Sequence, residues 1–487
     1  MRYNYVRQLI SGNKFLFYII LFSLVTKLLL FFYLQPWEKN IVHDKILVSD
    51  AISYNTLAVD FVTKHSFYGS TDNKAIDSNS ISFITHQFDS LLPPGYPLFL
   101  SLIYFLFGIK PYVIILFQIL LSILSLIFLY RLTNTVFNEK RIGYIACILF
   151  SIEPHQIYYT FNILSDTLYV TLLLFTLLLF FRGIKNNKTS LILLAALFSG
   201  ILPLIRPISE FLPIVFITII LLSRLGPVIR KLKIIFLFVI LYALAISPWM
   251  MRNKIEYDHF SLNTGGQYTL LMYDAVYTEA AEKSLPDTIV MAEFHKQALL
   301  NGYGKTKNPF DKSAIYSQLG KEYIKKNIVA CGKKHFVGII NMLCGLGNKN
   351  IAYFLGFNTS RNKPVSYYSF TNNLKSFFNM DSYGEAIIGF YICLIIGICY
   401  LFFFYGSVMM IRNDLLNPWL IIMSVIAYHC ILTGVIGVNR YKLPITPFYI
   451  IVASYGIYFA FRKKFSPENS FSIDNKIGEK RNKETDY

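Results

Sequence analysis

What most constrains this chain is the repetition of one kind of segment. Predominantly apolar runs recur at residues 15–34, 111–131, 142–160, 163–182, 190–206, 208–223, 233–250, 386–411, 417–437 and 444–461. Most are close to the roughly 20 residues a helix needs to cross a bilayer. In lipid, only segments that satisfy their own backbone hydrogen bonds are stable. Only 15% of the 487 residues are charged, against roughly a quarter in soluble domains. The sequence therefore predicts an all-α polytopic membrane protein with ten crossings.

A net charge of +18 raises nucleic acid as a partner, but its distribution excludes that class. The Lys and Arg residues gather in short stretches between apolar runs, "RLTNTVFNEKR", "RGIKNNK", "SRLGPVIRKLK" and "FRKKF", as cytoplasmic loops do. With these loops inside, the helices alternate correctly only if the short run 94–109 stays at the interface. Both termini are then cytoplasmic. The first run ends in "LQPWEKN" and offers no small-residue cleavage site, which reads as a retained helix.

Two large loops fall outside, 35–110 and 251–385. The second reads as a small mixed domain with helices at 287–300 and 313–326. The chain divides into an N-terminal membrane module (1–250), this loop domain (251–385), C-terminal membrane helices (386–464) and a polar cytoplasmic tail (465–487). Cys331 and Cys344 lie in the outer loop, where an oxidising compartment would allow them to pair.

Just after the first run, "SDAISYNTLAVDF" sets Asp50, Tyr54, Leu57, Ala58 and Phe61 on one face of a helix. Ser49 stands in the N-cap position. Further ionisable groups recur at the expected outer ends of spans. Glu153, His155 and Asp166 flank one turn. Arg206 and Glu210, which could pair with each other, flank a second. Arg252 follows Trp249, and Arg440, Tyr441 and Lys442 open the last span, while Lys27 lies within the first. Each has a bland reading as a cap, a local pair or a side chain snorkelling to headgroups. Together they describe an outward cavity with carboxylates facing cations, because an ionisable group in lipid costs several kcal/mol unless paired or used.

These stretches, with "LPPGYPLFLSLIYFLFG", "LSDTLYVTLLLF", "LIRP", "SPWMMRN" and "NRYKLPITPFYII", resemble in kind and order the motifs of the GT-C integral membrane glycosyltransferases. The protein O-mannosyltransferases and lipid A aminoarabinose transferases are the nearest branch. The resemblance spreads over most of residues 1–460. It implies a GT-C-like helical bundle that takes a sugar from a polyprenyl-phosphate donor outside the cytoplasm. It matches Asp50 to the family's first-loop Asp, a catalytic base or site organiser, and Asp166 to its second acidic position. Where the aminoarabinose branch has a Lys before Pro-Pro, this chain has Leu92, with His86 the nearest upstream substitute for that Lys. That counts against lipid A as acceptor.

The expected mechanism follows from the residue types. Guanidinium binds phosphate oxygens bidentately, so Arg206, Arg252 and Arg440, with Tyr441, are the candidates for the donor phosphate. Asp50, as the acceptor of a hydroxyl proton, and Asp166 are the candidate catalytic carboxylates. Tyr54, His86, Tyr96, Glu153 and His155 are candidates for the substrate pocket, although core packing also explains the two tyrosines. No residue pattern specifies a cofactor. Asp50 and Asp166, or Asp166 with Glu153 or His155, could also hold a divalent metal, without the spacing of a dedicated motif. Attack opposite the phosphate predicts inversion at the sugar carbon, with a glycan, lipid or protein as acceptor. A cell (inner) membrane setting follows. Two alternatives stay open: a surface-polysaccharide polymerase or ligase using lipid-linked sugars, and a non-enzymatic transporter of lipid-linked sugars.

Overall fold

The computed structural model describes residues 14–48, 50–67, 88–357 and 382–462. Ser49, His86, residues 1–13 and the tail lie outside that set, so the cap, pocket and terminal expectations placed on them are not addressed by it. Among the described residues, six helices are long and apolar enough to cross a membrane: α1 (Lys14–Leu34), α4 (Pro111–Phe137), α7 (Asp166–Lys185), α10 (Val228–Tyr257), α14 (Tyr383–Arg412) and the last, Asn439–Ala460. The last opens as a 3-10 turn, Asn439–Ile445, and continues as α16, Thr446–Ala460. Four shorter apolar helices accompany them: α3 (Gly95–Phe107), α8 (Thr189–Ile205), Pro207–Leu222 (with α9, Leu212–Leu222) and α15 (Leu416–Leu432). Sequence chemistry marks the ends. Pro111 sits in the first turn of α4 and Asn138 ends it in the left-handed conformation, as expected for Pro at a helix start and Asn at a C-cap.

Two helices form the middle of the bundle. The apolar windows of α7 and of the last helix are 72% and 78% buried, whereas those of α10 and α1 are only 17% and 22% buried. The first pair is packed all round and the second faces lipid. Helix α7 lies against α4 and α8, and α16 lies against α14 and α5 (Lys140–Ser151).

The expected span 142–160 is not continuous. It breaks at Ile152–Glu153 into α5 and the short α6 (Pro154–Thr160). Pro154 disfavours helical backbone at the residue before it, and Glu153 is extended and caps α6 through Gln156 N–H. Helix α10 likewise runs to Tyr257, past the expected end at 250. The run 94–109 forms α3, whose 13 residues rise only about 20 Å, short of the hydrocarbon thickness.

Helix α2 (Asp50–Lys64) buries Ala51, Tyr54, Leu57 and Ala58, while Phe61 stays partly exposed and stacks on Phe67 at 4.3 Å. It packs on α3, where Tyr104 donates to Asn55 at 2.6 Å.

The segment expected as a mixed domain is helical, with no strand, among its described residues 251–357. Residues 265–283, α11 (Asp287–Leu300) and α12 (Pro309–Lys326) share an apolar core around Leu271, Val276, Val290 and Tyr316. Their apolar residues recur at helical, not alternating, spacing. Helix α13 (Ile328–Cys344) then descends onto residues 434–437. A Cβ on Gly338 would lie 2.7 Å from the Gly434 carbonyl, so only glycine permits this crossing. Cys331 and Cys344 are both free thiols. Thirteen residues apart on one helix, they stand about 20 Å apart, far beyond disulfide reach.

Candidate active site

The two central helices each present a charged group at the same end of the bundle. Asp166 is the first residue of α7. The turn before it is held from α4, where Gln118 donates to the carbonyls of Thr160 and Asn162, both at 2.8 Å. Arg206 ends α8 in extended conformation, because Pro207 follows. Arg440 lies on the 3-10 turn leading into α16, and Asp50 heads α2.

These four groups form one chain of ion pairs. Arg440 Nε donates to Asp166 Oδ2 at 2.8 Å, and its Nη1 donates to Asp50 Oδ2 at 2.7 Å. Arg206 Nη1 closes on the other oxygen, Asp166 Oδ1. Exposure rises along the chain: the Asp166 side chain is 1% exposed, Arg206 10%, Arg440 13% and Asp50 51%. Charges buried this far are tolerated only when paired and hydrogen-bonded, and both oxygens of Asp166 are so engaged. The cluster is thus fixed at its inner end and open at Asp50.

Aromatic groups complete the surroundings. Tyr54 lies 3.4 Å from the Ser165 hydroxyl and edge-on to Tyr96 at 5.0 Å. Tyr96 is fully buried and donates to Gln118 at 2.7 Å, so it supports the Asp166 turn. Tyr441 lies in the electrostatic field of Asp50, Asp166, Arg206 and Arg440. The Arg206 guanidinium stands over the Tyr169 ring at 5.8 Å. Tyr169 donates to His429 Nε2 at 3.0 Å, whose Nδ1 in turn donates to the Val425 carbonyl at 2.8 Å.

Three expected members stand elsewhere. Arg252 lies within α10, over the rings of Trp249 and Tyr257 at 4.9 and 5.2 Å, and donates to Asn253. Glu153 and His155 form a separate buried pair at 2.9 Å, with His155 Nε2 on the Leu346 carbonyl at 2.7 Å. A carbonyl oxygen only accepts, so Nε2 carries a proton and the pair shares the other one. Lys442 enters the field of Glu153 rather than that of Asp166. A small cavity beside Asp166 is lined by Ser125, Gln156, Tyr159, Asp166 and Leu443.

Residues 92–251 match the family model of dolichyl-phosphate-mannose-protein mannosyltransferase. A search of curated proteins returned no match. Among solved structures, the archaeal oligosaccharyltransferase AglB from Archaeoglobus fulgidus, with an inhibitory peptide and dolichol-phosphate, is similar over 94% of this chain and 52% of its own. Its identity is 12% and its TM-score 0.50. The apo form of that organism's oligosaccharyltransferase gives 14% identity over the same shares, again at 0.50. Its fold is GT-C. ArnT from Cupriavidus metallidurans in the apo state superposes more loosely, at TM-score 0.39 with 13% identity over 89% of this chain and 76% of its own. The chain spans about half the length of the oligosaccharyltransferase structures it matches.

On this GT-C framework the expected metal pair does not fit a divalent cation. Asp50 and Asp166 are bridged by a guanidinium that already holds the position between them. Among the described residues, no group of three His, Cys, Asp or Glu side chains is placed to share an ion. Gln118, Tyr169 and His429 went unnoticed in the sequence. Each is a polar residue inside an apolar run, and that interruption is the one signal that would have drawn attention to them.

Proposed function

We propose that this protein is a membrane glycosyltransferase that moves a sugar from a polyprenyl-phosphate donor to an acceptor on the extracytoplasmic face, with inversion. The observation that carries the reading is the graded chain Asp50–Arg440–Asp166–Arg206, anchored in the bundle and open at one carboxylate. The GT-C fold, the mannosyltransferase family match and dolichol-phosphate in the AglB structure support the donor class.

In this reading Arg440, with Arg206 behind it, holds the donor phosphate and offsets the charge that develops on the bridging oxygen. Asp50 takes the proton of an acceptor hydroxyl. The acceptor oxygen bonds to the anomeric carbon from the face opposite the phosphate. The sugar–oxygen bond breaks, and its electron pair leaves with the polyprenyl phosphate. Asp166 positions the two guanidiniums and does not touch substrate, since both of its oxygens are committed. Tyr54 and Tyr441 line the sugar side. Arg252, held by Trp249, Tyr257 and Asn253 rather than by the cluster, is left for the lipid or the acceptor. No step is assigned to a metal.

The same reading retains ten crossings with cytoplasmic termini, and residues 251–385 as an outer domain beside the 1–250 module. Purified protein in vesicles, offered radiolabelled polyprenyl-phosphate sugars and envelope acceptors, tests it. Transfer by wild type and its loss in Arg440→Ala is the expected result. Absence of transfer or donor hydrolysis across the donor panel would overturn it.

A further inference from the structure

Arg440 holds two carboxylates that differ in what can replace it. Asp166 is enclosed, with Arg206 on its second oxygen, and has no solvent to receive it if Arg440 leaves. Asp50 is half exposed and loses little by turning to water, since ion pairs at a wet surface are weak. Two carboxylates and two guanidiniums make the closed cluster neutral. An anion that binds Arg440 with Asp50 still in place leaves the rim with excess negative charge at short range, an arrangement that is costly where the dielectric is low. Asp50 is therefore the member that leaves. Its Oδ2 accepts from Arg440 at 2.7 Å, which holds the carboxylate against the guanidinium while the cluster is closed.

We propose that the Asp50–Arg440 ion pair is a latch opened by the donor: the phosphate displaces Asp50 from Arg440, and the released carboxylate becomes the base for the acceptor. The inference rests on the transferase reading and adds an order to it, donor before acceptor. It also holds the base on Arg440 when no donor is present. The Arg440–Asp166 contact stays closed throughout and keeps the guanidinium oriented.

A latch has a signature that a purely catalytic role for Asp50 lacks. Removing the competing carboxylate should tighten donor binding while transfer is lost. Undecaprenyl phosphate is titrated into full-length protein in zwitterionic nanodiscs, and binding is read by intrinsic fluorescence. Asp50→Asn and Asp50→Ser should each bind about two- to fivefold more tightly than wild type, the span of an exposed ion pair. Asp50→Glu, which keeps the charge, should stay near wild type. Either uncharged variant serves if the other folds poorly. Unchanged or weaker binding in the uncharged variants overturns the latch while leaving the transferase reading intact. No saturable binding by wild type removes the transferase reading and the latch with it. Phosphatidylglycerol in place of undecaprenyl phosphate should give no Asp50-dependent change. An equal effect would overturn the assignment to the donor.

Discussion

Arg440 and Lys442 lie two residues apart on one 3-10 turn and meet opposite surroundings. At about three residues per turn, side chains i and i+2 point to different sides. Arg440 bridges two carboxylates and reaches a half-exposed rim. Lys442 is fully buried, and its Nζ has no hydrogen-bond partner among the described residues. Beside it the Glu153–His155 pair is closed by a backbone carbonyl. The contrast separates two uses of intramembrane charge. A cation whose contacts end in solvent is available to a ligand, whereas one enclosed with a closed pair fixes packing between α6 and the last helix.

The largest effect should come from cutting the anchor of the open cluster. Asp166→Ala strands Arg206 and Arg440 in the bundle, and breaking a buried pair in this way costs about 3–5 kcal/mol. Low yield and early thermal unfolding in detergent are the expected outcome. A variant with wild-type melting would show that the guanidiniums are solvated and that the inner end is not an anchor. Next in size, Asp50→Asn should lower transfer by about 10²–10⁴-fold, the usual contribution of a general base, with melting unchanged. Full activity in that variant removes Asp50 as the base.

Lys442→Met sharpens the contrast from the other side. It replaces a buried cation lacking a hydrogen bond with an apolar chain of similar length, and such exchanges are often neutral or stabilising. Melting equal to or above wild type by about 1 kcal/mol of stability, with transfer retained, is the expected result. Loss of transfer in a well-folded Lys442→Met variant would merge the two clusters into one site.

The same contrast explains how far the sequence could be read. The Asp50 helix was legible because Tyr54, Leu57 and Ala58 recur at helical spacing, and all three are buried as expected. Asp166, Arg206 and Arg440 were legible as ionisable groups at span ends, since lipid makes such residues costly. Their pairing was not legible. Arg206 had Glu210 within one turn as a local partner, yet it reaches across to Asp166. Nothing in the spacing of residues 50, 166, 206 and 440 encodes a distance. Arg252 looked equivalent to Arg440 because the apolar run stops before it. The helix itself continues to Tyr257, since backbone hydrogen bonding does not end where hydropathy does. The same limit hid the break at Glu153, where Pro154 rather than polarity decided the geometry.

The smallest expected effect concerns how residues 265–283 meet the loop that leads to Arg440. Asp274 accepts the Val435 N–H at 3.3 Å, and burial pushes its carboxyl from the ordinary 3.8 up to about 6. A folded-state value above the unfolded one means that the folded protein binds the proton more tightly. Its stabilising contribution is complete below the unfolded value and is lost as pH rises through about 6. The docking of residues 265–283 on the 433–438 loop should therefore weaken between pH 4 and pH 6 and change little above that range. Asp274→Asn keeps an acceptor for Val435 and carries no charge, so it should melt a few degrees above wild type at pH 7.5 and lose that part of the pH slope. Because Asp274 touches the approach to Arg440 and not the cluster itself, donor affinity at neutral pH should be unchanged. A shift in donor affinity with the Asn variant would mean that residues 265–283 and the charged cluster move together.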